Sequence, residues 1–244
     1  TALTAGTYDI FARTSDGSLT STEAYTVKID LSAAAPGFTL TTDTYGVVTF
    51  DGTDISVGTG SDLITKQTLP TVRGTGEVGA TVTIYKGSVV MGTATVGDDG
   101  TWTTTLTTAL TSGANTLTAK QVDLAGNTSG ATSLKVTVDT TVAAPTTLAL
   151  NKTTNSGLTT DLITNFDKGA AITGKGKAGA VVEILDGDTV IGTATVGTKG
   201  TWTFTLPTDL DDGSHVLTAR QTDKAGNVSD LSTSITVTID TTAD

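Results

Sequence analysis

The sequence predicts an all-β chain of tandem antiparallel β-sandwich modules of about 100 residues, and three observations predict it. The first is composition. The 244 residues include 28 Gly and no Cys, only 5% are aromatic, and Thr is the commonest residue. β-Branched side chains suit a pleated, half-buried surface better than a helix, and no segment carries a helical period. The second is an internal repeat. GATVTIYKGSVVMGTATVGDDGTW (Gly79 to Trp102) returns as GAVVEILDGDTVIGTATVGTKGTW (Gly179 to Trp202). LTSGANTLTAKQVDLAGN (Leu110 to Asn127) returns as LDDGSHVLTARQTDKAGN (Leu210 to Asn227). The shared displacement of about 100 residues sets the size of the unit. The third is period-2 alternation. Val182 and Ile184 flank Glu183, and Trp202, Phe204 and Leu206 alternate with Thr201, Thr203 and Thr205. One buried and one wet face is the mark of an antiparallel sheet.

In chain order, LTAGTYDIFARTSDG (Leu3 to Gly17) aligns with the segment beginning at Leu110, and YTVKID (Tyr25 to Asp30) with LKVTVD. Residues 1–30 are therefore expected to be the last two strands of a truncated module. Two strands alone cannot bury a core, so this stretch is expected to be incompletely folded or to pack on something outside the chain. Two complete modules are expected at 31–140 and 141–244. The joints DLSAAAP (Asp30 to Pro36) and DTTVAAP (Asp139 to Pro145) each place an Asp at a strand end and a Pro that stiffens the way into the next module. The first complete module carries about eleven extra residues, roughly Tyr45 to Gly58, that fit a hairpin or a bulge. About seven strands per copy match the strand count of an Ig-like sandwich. Trp102 and Trp202 are expected to anchor the cores.

The formal net charge is −11, and of 25 acidic residues all but Glu23, Glu77 and Glu183 are Asp. Asp favours turns and supplies short carboxylates suited to a hard cation. Basic residues are few and scattered, which argues against nucleic acid. No apolar run approaches the roughly 20 residues that span a membrane. The chain starts at Thr1 with no signal peptide, as expected of a mature or excised segment. Without Cys there is no disulfide, thiol nucleophile or Cys-based zinc site. His215, the one histidine, matches Asn115 in the other copy and is expected to be a solvated turn residue. A Ser-His-Asp triad would rest on it alone, with no elbow motif near it. The pairs Asp98–Asp99 and Asp211–Asp212 sit in turns without a cleft. No enzyme is predicted.

As a set, the motifs D-T-T-x-x-x-P, D-x-I-T, G-x-x-x-x-G-A-x-V, G-T-A-T-V-x-x-x-G-T-W, L-x-x-G-x-x-x-L-T-A and D-x-A-G-N resemble the bacterial Ig-like repeats of giant secreted, biofilm-associated and RTX-type adhesins. The resemblance covers nearly the whole chain. It departs in the first partial copy, where Gly17 and Ser18 follow Asp16. It implies a tandem Ig-like architecture, export to the bacterial cell surface, and an extender or stalk role in adhesion or biofilm formation. It also implies calcium at the junctions, neighbouring modules of the same chain as partners, and a distal domain that meets a host or abiotic surface. A monomer is expected. A glycan- or protein-binding Ig-like module and the spacer of a secreted hydrolase are the alternatives.

Calcium takes six to eight oxygens from Asp, Asn and backbone carbonyls. In a seven-stranded sandwich the chain enters beside the loop joining the last two strands and leaves beside the loop joining the first two. Asp139 is then expected to face Asp223 and Asn227, with Asp62 at the same end. The upstream joint would use Asp30, Asp123 and Asn127. Asn155, Asp161, Asp212 and Asp240 would await a following module. The competing reading makes D-x-A-G-N only a tight turn, with Gly at positive φ and Asp capping its own backbone.

Overall fold

The computed structural model describes residues 3–11, 24–156, 158, 161–165, 169–207 and 210–242. Asp16 and its neighbours lie outside the described residues, as does Glu23. The chain divides into two compact units. One comprises Thr1–Thr41, Thr71–Ala109 and Asn115–Lys135; the other comprises Thr42–Pro70, Leu110–Ala114 and Val136–Asp244.

No described residue is helical. The strands are β1 (Gly6–Ile10), β2 (Tyr25–Ile29), β3 (Thr39–Leu40), β4 (Gly46–Phe50), β5 (Thr53–Val57), β6 (Ile64–Thr65) and β7 (Thr71–Thr75). Then come β8 (Thr81–Lys86), β9 (Val89–Thr95), β10 (Thr101–Thr105), β11 (Gly113–Val122), β12 (Thr132–Val138), β13 (Thr146–Leu150) and β14 (Ile163–Thr164). The last are β15 (Ala171–Lys175), β16 (Val181–Asp186), β17 (Thr189–Thr195), β18 (Thr201–Thr205), β19 (Gly213–Thr222) and β20 (Ile235–Ile239). Each complete copy forms an Ig-like sandwich of a three-stranded and a five-stranded sheet. The orders are β10-β7-β3 with β6-β12-β11-β8-β9, and β13-β15-β18 with β14-β20-β19-β16-β17. The short strands β6 and β14 pair parallel to β12 and β20.

In the first unit, Val72, Val82, Ile84, Met91, Val96, Trp102, Leu106, Leu117 and Ala119 form the buried interior. Apart from Val96 and Leu106, which follow β9 and β10, they are the inward members of alternating strands, as β8 illustrates: Val82 and Ile84 are buried while Thr81 is exposed. Trp102 donates its indole N–H to the Thr75 carbonyl at 3.1 Å, and Phe38 lies against it with ring centroids 5.9 Å apart. β1 and β2 pair antiparallel as a two-stranded sheet, with Ile10 and Tyr25 exposed.

In the second unit, Leu150, Ile172, Val182, Ile184, Trp202, Leu206, Leu217, Val237 and Ile239 belong to one apolar cluster. Trp202 is buried like Trp102, yet its indole N–H has no acceptor. The insertion is a hairpin, β4–β5, turned by Asp51 and Gly52 at φ 49° and 71°. Positive φ at both turn positions matches the right-handed twist of the flanking strands. Val48 and Val57 of the hairpin cluster with Val181 of β16. Consequently β16 is buried on both faces from Val181 to Leu185, unlike β8. Glu183 is not on the expected wet face: it is buried and takes a two-pronged hydrogen bond from Arg220, at 2.8 and 2.9 Å. No helix among the described residues is long and apolar enough to cross a membrane.

Candidate metal centre

The D-x-A-G-N loops follow β11 and β19 and have the same internal construction. Gly126 and Gly226 adopt φ 89° and 80°, and each N–H returns to the Asp carbonyl at the start of its loop. The Asp carboxylate then accepts the Asn backbone N–H, at 2.8 Å for Asp123–Asn127 and 2.9 Å for Asp223–Asn227. The Asn side-chain amide donates to the same carboxylate. It also reaches the carbonyl of the strand-end Asp: Asn127 to Asp30 at 3.1 Å, and Asn227 to Asp139 at 2.8 Å. Gln121 and Gln221 add a second tether, donating to the carbonyls of Ala34 and Ala143 at 2.9 and 2.6 Å. The Asn residues thus direct N–H groups, rather than oxygen, at this place.

One position distinguishes the copies. The backbone N–H of Glu77 donates to Gln121 Oε1, and that of Lys177 donates to Gln221 Oε1. The side chains at this shared place have opposite charge. In the first unit, carboxylate oxygens of Asp30, Glu77 and Asp123 all lie within 4.8 Å of one another and are partly buried. Among the described residues this is the one such cluster of metal-ligating side chains. Three hard oxygen donors fit a calcium-type dication, which would need further oxygens from backbone or water. Glu77 also accepts the N–H of Ala34. Asn127's side-chain hydrogen bond holds the Asp123 carboxyl below the usual carboxylate range, against the opposing effect of burial.

In the second unit the Lys177 ammonium bonds both Asp139 and Asp223, the latter at 2.8 Å. The Asp223 side chain is 1% exposed. Burial by itself would lower the Lys177 pKa, but hydrogen bonds and charge from Asp139 and Asp223 outweigh it and raise the pKa. Lys177 thus bridges Asp139 and Asp223, while Asn227 donates to Asp223 and to the Asp139 carbonyl. Asp62 instead caps its own turn, accepting the N–H groups of Thr59 and Ile64. Asn155 is buried and donates to Leu158 O and to Asp161. Asp212 accepts from Thr241, and Asp240 from Thr242. Asn155 and Asp161 share one local network, Asp240 caps its own turn, and Asp212 ties its loop to Thr241 after the last strand. Glu77 and Lys177 were the residues missed; the signal was a reversal of charge at equivalent places in two otherwise similar copies.

His215 lies within β19, not in a turn. Its ring nitrogens face Asp186 Oδ2 at 2.6 Å and the Asp211 carbonyl at 2.8 Å. The Asp186 hydrogen bond raises its pKa against desolvation. In the first copy the matching pair is Lys86 with Asn115, at 2.5 Å.

Two-layer β-sandwiches in tandem, each with a strand-end Asp tied to its D-x-A-G-N loop, define the chain as an Ig-like repeat protein. The bacterial Ig-like domain family matches residues 35–140 and again 141–241, and the chain belongs to that family. No curated protein matches the sequence. Among solved structures, the BSP domain of a biofilm-associated protein is 24% identical with a TM-score of 0.30, covering 74% of this chain and 29% of that one. A tetra-tandem repeat from the extending region of a large adhesion protein is 22% identical with a TM-score of 0.35, covering 96% and 56%. The fibronectin(III)-like modules of Clostridium thermocellum CbhA are 16% identical with a TM-score of 0.37, covering 83% and 93%. The chain spans less than two thirds of the first two proteins' own lengths.

Proposed function

We propose that the chain is an extender segment of a bacterial cell-surface adhesin, with complete modules at 31–140 and 141–244 acting as spacers outside the cell. The role is structural rather than catalytic. The supporting observation is the repeated tether: in both copies the Asn of D-x-A-G-N bonds the carbonyl of the preceding strand-end Asp. A linker fixed to the module it enters transmits orientation instead of swivelling.

The upstream joint is proposed to take calcium at Asp30, Glu77 and Asp123, with Asp62, Asn155, Asp161, Asp212 and Asp240 engaged in hydrogen bonds within the fold. Three carboxylates repel one another without a cation, so that joint loosens on chelation. Extracellular modules bind calcium at about 0.1–1 mM, which ties stiffness to location outside the cell. The downstream joint is proposed to use Lys177 in the cation's place. The test is calcium titration of melting temperature, with small-angle scattering, before and after chelator. Calcium should raise the melting temperature of the first complete copy. A chain whose melting temperature and maximum dimension ignore calcium would remove the metal from this reading and leave a plain spacer.

A further inference from the structure

The β4–β5 hairpin belongs by sequence to the first complete copy, yet it packs on residues of the second. The two copies form an internal comparison. Val181, Thr222 and Ala225 are 4%, 3% and 0% exposed. Their equivalents Thr81, Val122 and Ala125 are all exposed. What covers Val181, Thr222 and Ala225 is the hairpin and its flanks, whose Val48 and Val57 are buried against Val181 with Ile55 beside them. β4 packs on β17 and β19. The approach is close. A Cβ at Gly46 would meet Thr222 Cγ2 and stand 2.9 Å from Asp223 O, and one at Gly226 would stand 2.9 Å from Tyr45 O. Hydrogen bonds fasten the flanks: Thr44 Oγ1 donates to Ala225 O, and Lys66 Nζ to Gly226 O, both at 2.9 Å.

We infer that this hairpin is a clasp, an apolar surface whose partner is the outer face of β16 and β19 in the following copy, and that it fastens the two copies without a metal ion. The inference goes beyond the stalk reading and stands whether or not Asp30, Glu77 and Asp123 take calcium. Its physical basis is that apolar burial needs no counter-ion. The clasp also adjoins the loop whose Asp223 is already neutralised by Lys177. A two-stranded hairpin alone is marginal in water, so its order reports its docking.

The experiment is amide hydrogen exchange on the 244-residue chain in chelator, comparing wild type with Gly46→Val and Val181→Thr. Val is a good strand former, and a Cβ at Gly46 crowds Thr222 and Asp223 O of the second copy more closely than Val57 of its own hairpin, at 3.3 Å, so Gly46→Val acts mainly on docking. Val181→Thr installs the residue that the first copy carries at the same place. Wild type should show protected amides across Val47–Val57. Each variant should lose at least tenfold of that protection while β18 keeps its own. If Val181→Thr also exposes β18, Gly46→Val decides. With no native Cys, spin labels on Thr103→Cys and Thr203→Cys can report inter-copy distances, whose distribution should broaden in the variants. Unprotected hairpin amides in wild type, or protection and distances unchanged by Gly46→Val, would overturn the clasp. Wild-type protection that requires calcium would overturn it too. A calcium-insensitive upstream joint would leave it standing.

Discussion

Lys177 donates to the buried carboxylate of Asp223 at 2.8 Å, on a backbone position that Glu77 holds in the first copy. One scaffold therefore presents either a cation or a third carboxylate to the same pair of Asp residues. Replacing Lys177 with Met leaves Asp223 charged, buried and without its ammonium. A fully buried pair broken this way costs 3–5 kcal/mol, but the Lys177 side chain is 40% exposed; about 1–2 kcal/mol is expected. Chemical denaturation of the second copy, followed by Trp202 fluorescence, measures it.

Lys177→Glu goes further, because it recreates the Asp-Glu-Asp set of the upstream site. The variant should be less stable than wild type in chelator and should regain stability with calcium. At ten times its dissociation constant a ligand contributes about 1.4 kcal/mol. Calorimetric melting with and without calcium reads this directly. The reciprocal Glu77→Lys should stabilise the first copy in chelator and abolish its calcium response.

His215 gives the second copy a pH dependence that the first lacks. Its folded pKa is raised by Asp186. The charged imidazole therefore contributes stability that is fully present below the unfolded value of about 6.5, and that is lost as pH rises through the folded pKa. Melting temperature between pH 5.5 and 8.5 should fall across that window. His215→Asn, the first copy's arrangement at Asn115, should flatten this slope.

The two tryptophans should also differ. Trp102 has an acceptor for its indole N–H and Trp202 has none. Trp→Phe removes similar packing at both sites but a hydrogen bond only at Trp102. The Trp102→Phe variant should lose about 1 kcal/mol more than Trp202→Phe, as urea unfolding of each copy would measure.

The architecture was legible because the repeat and the period-2 alternation are local signals. Trp102, Trp202, Val182 and Ile184 are buried where alternation puts them. The insertion was legible in part: its length fits a hairpin or a bulge, and Asp51-Gly52 between apolar alternations is a hairpin signal. Its docking was not legible, since nothing local to Val48 or Val57 names Val181 as their partner. Glu183 illustrates the same gap. Alternation turns it outward, and only the long-range cover and Arg220 make that side dry. At the joints, strand order places Asp139 beside Asp223 and Asn227, which are hydrogen-bonded neighbours in the structure, but it says nothing of what they bind. Glu77 and Lys177 lie in the loops before β8 and β16, away from the strand ends that carry Asp30 and Asp139.

The insertion also makes neighbouring repeats non-interchangeable. A recombination event that deleted residues 141–241 and joined the first copy to a sibling bearing Thr at position 181 would strand Val48 and Val57 in water. One that excised the hairpin would bare Val181. Changing the number of such copies without exposing this apolar surface would require moving the two as a pair.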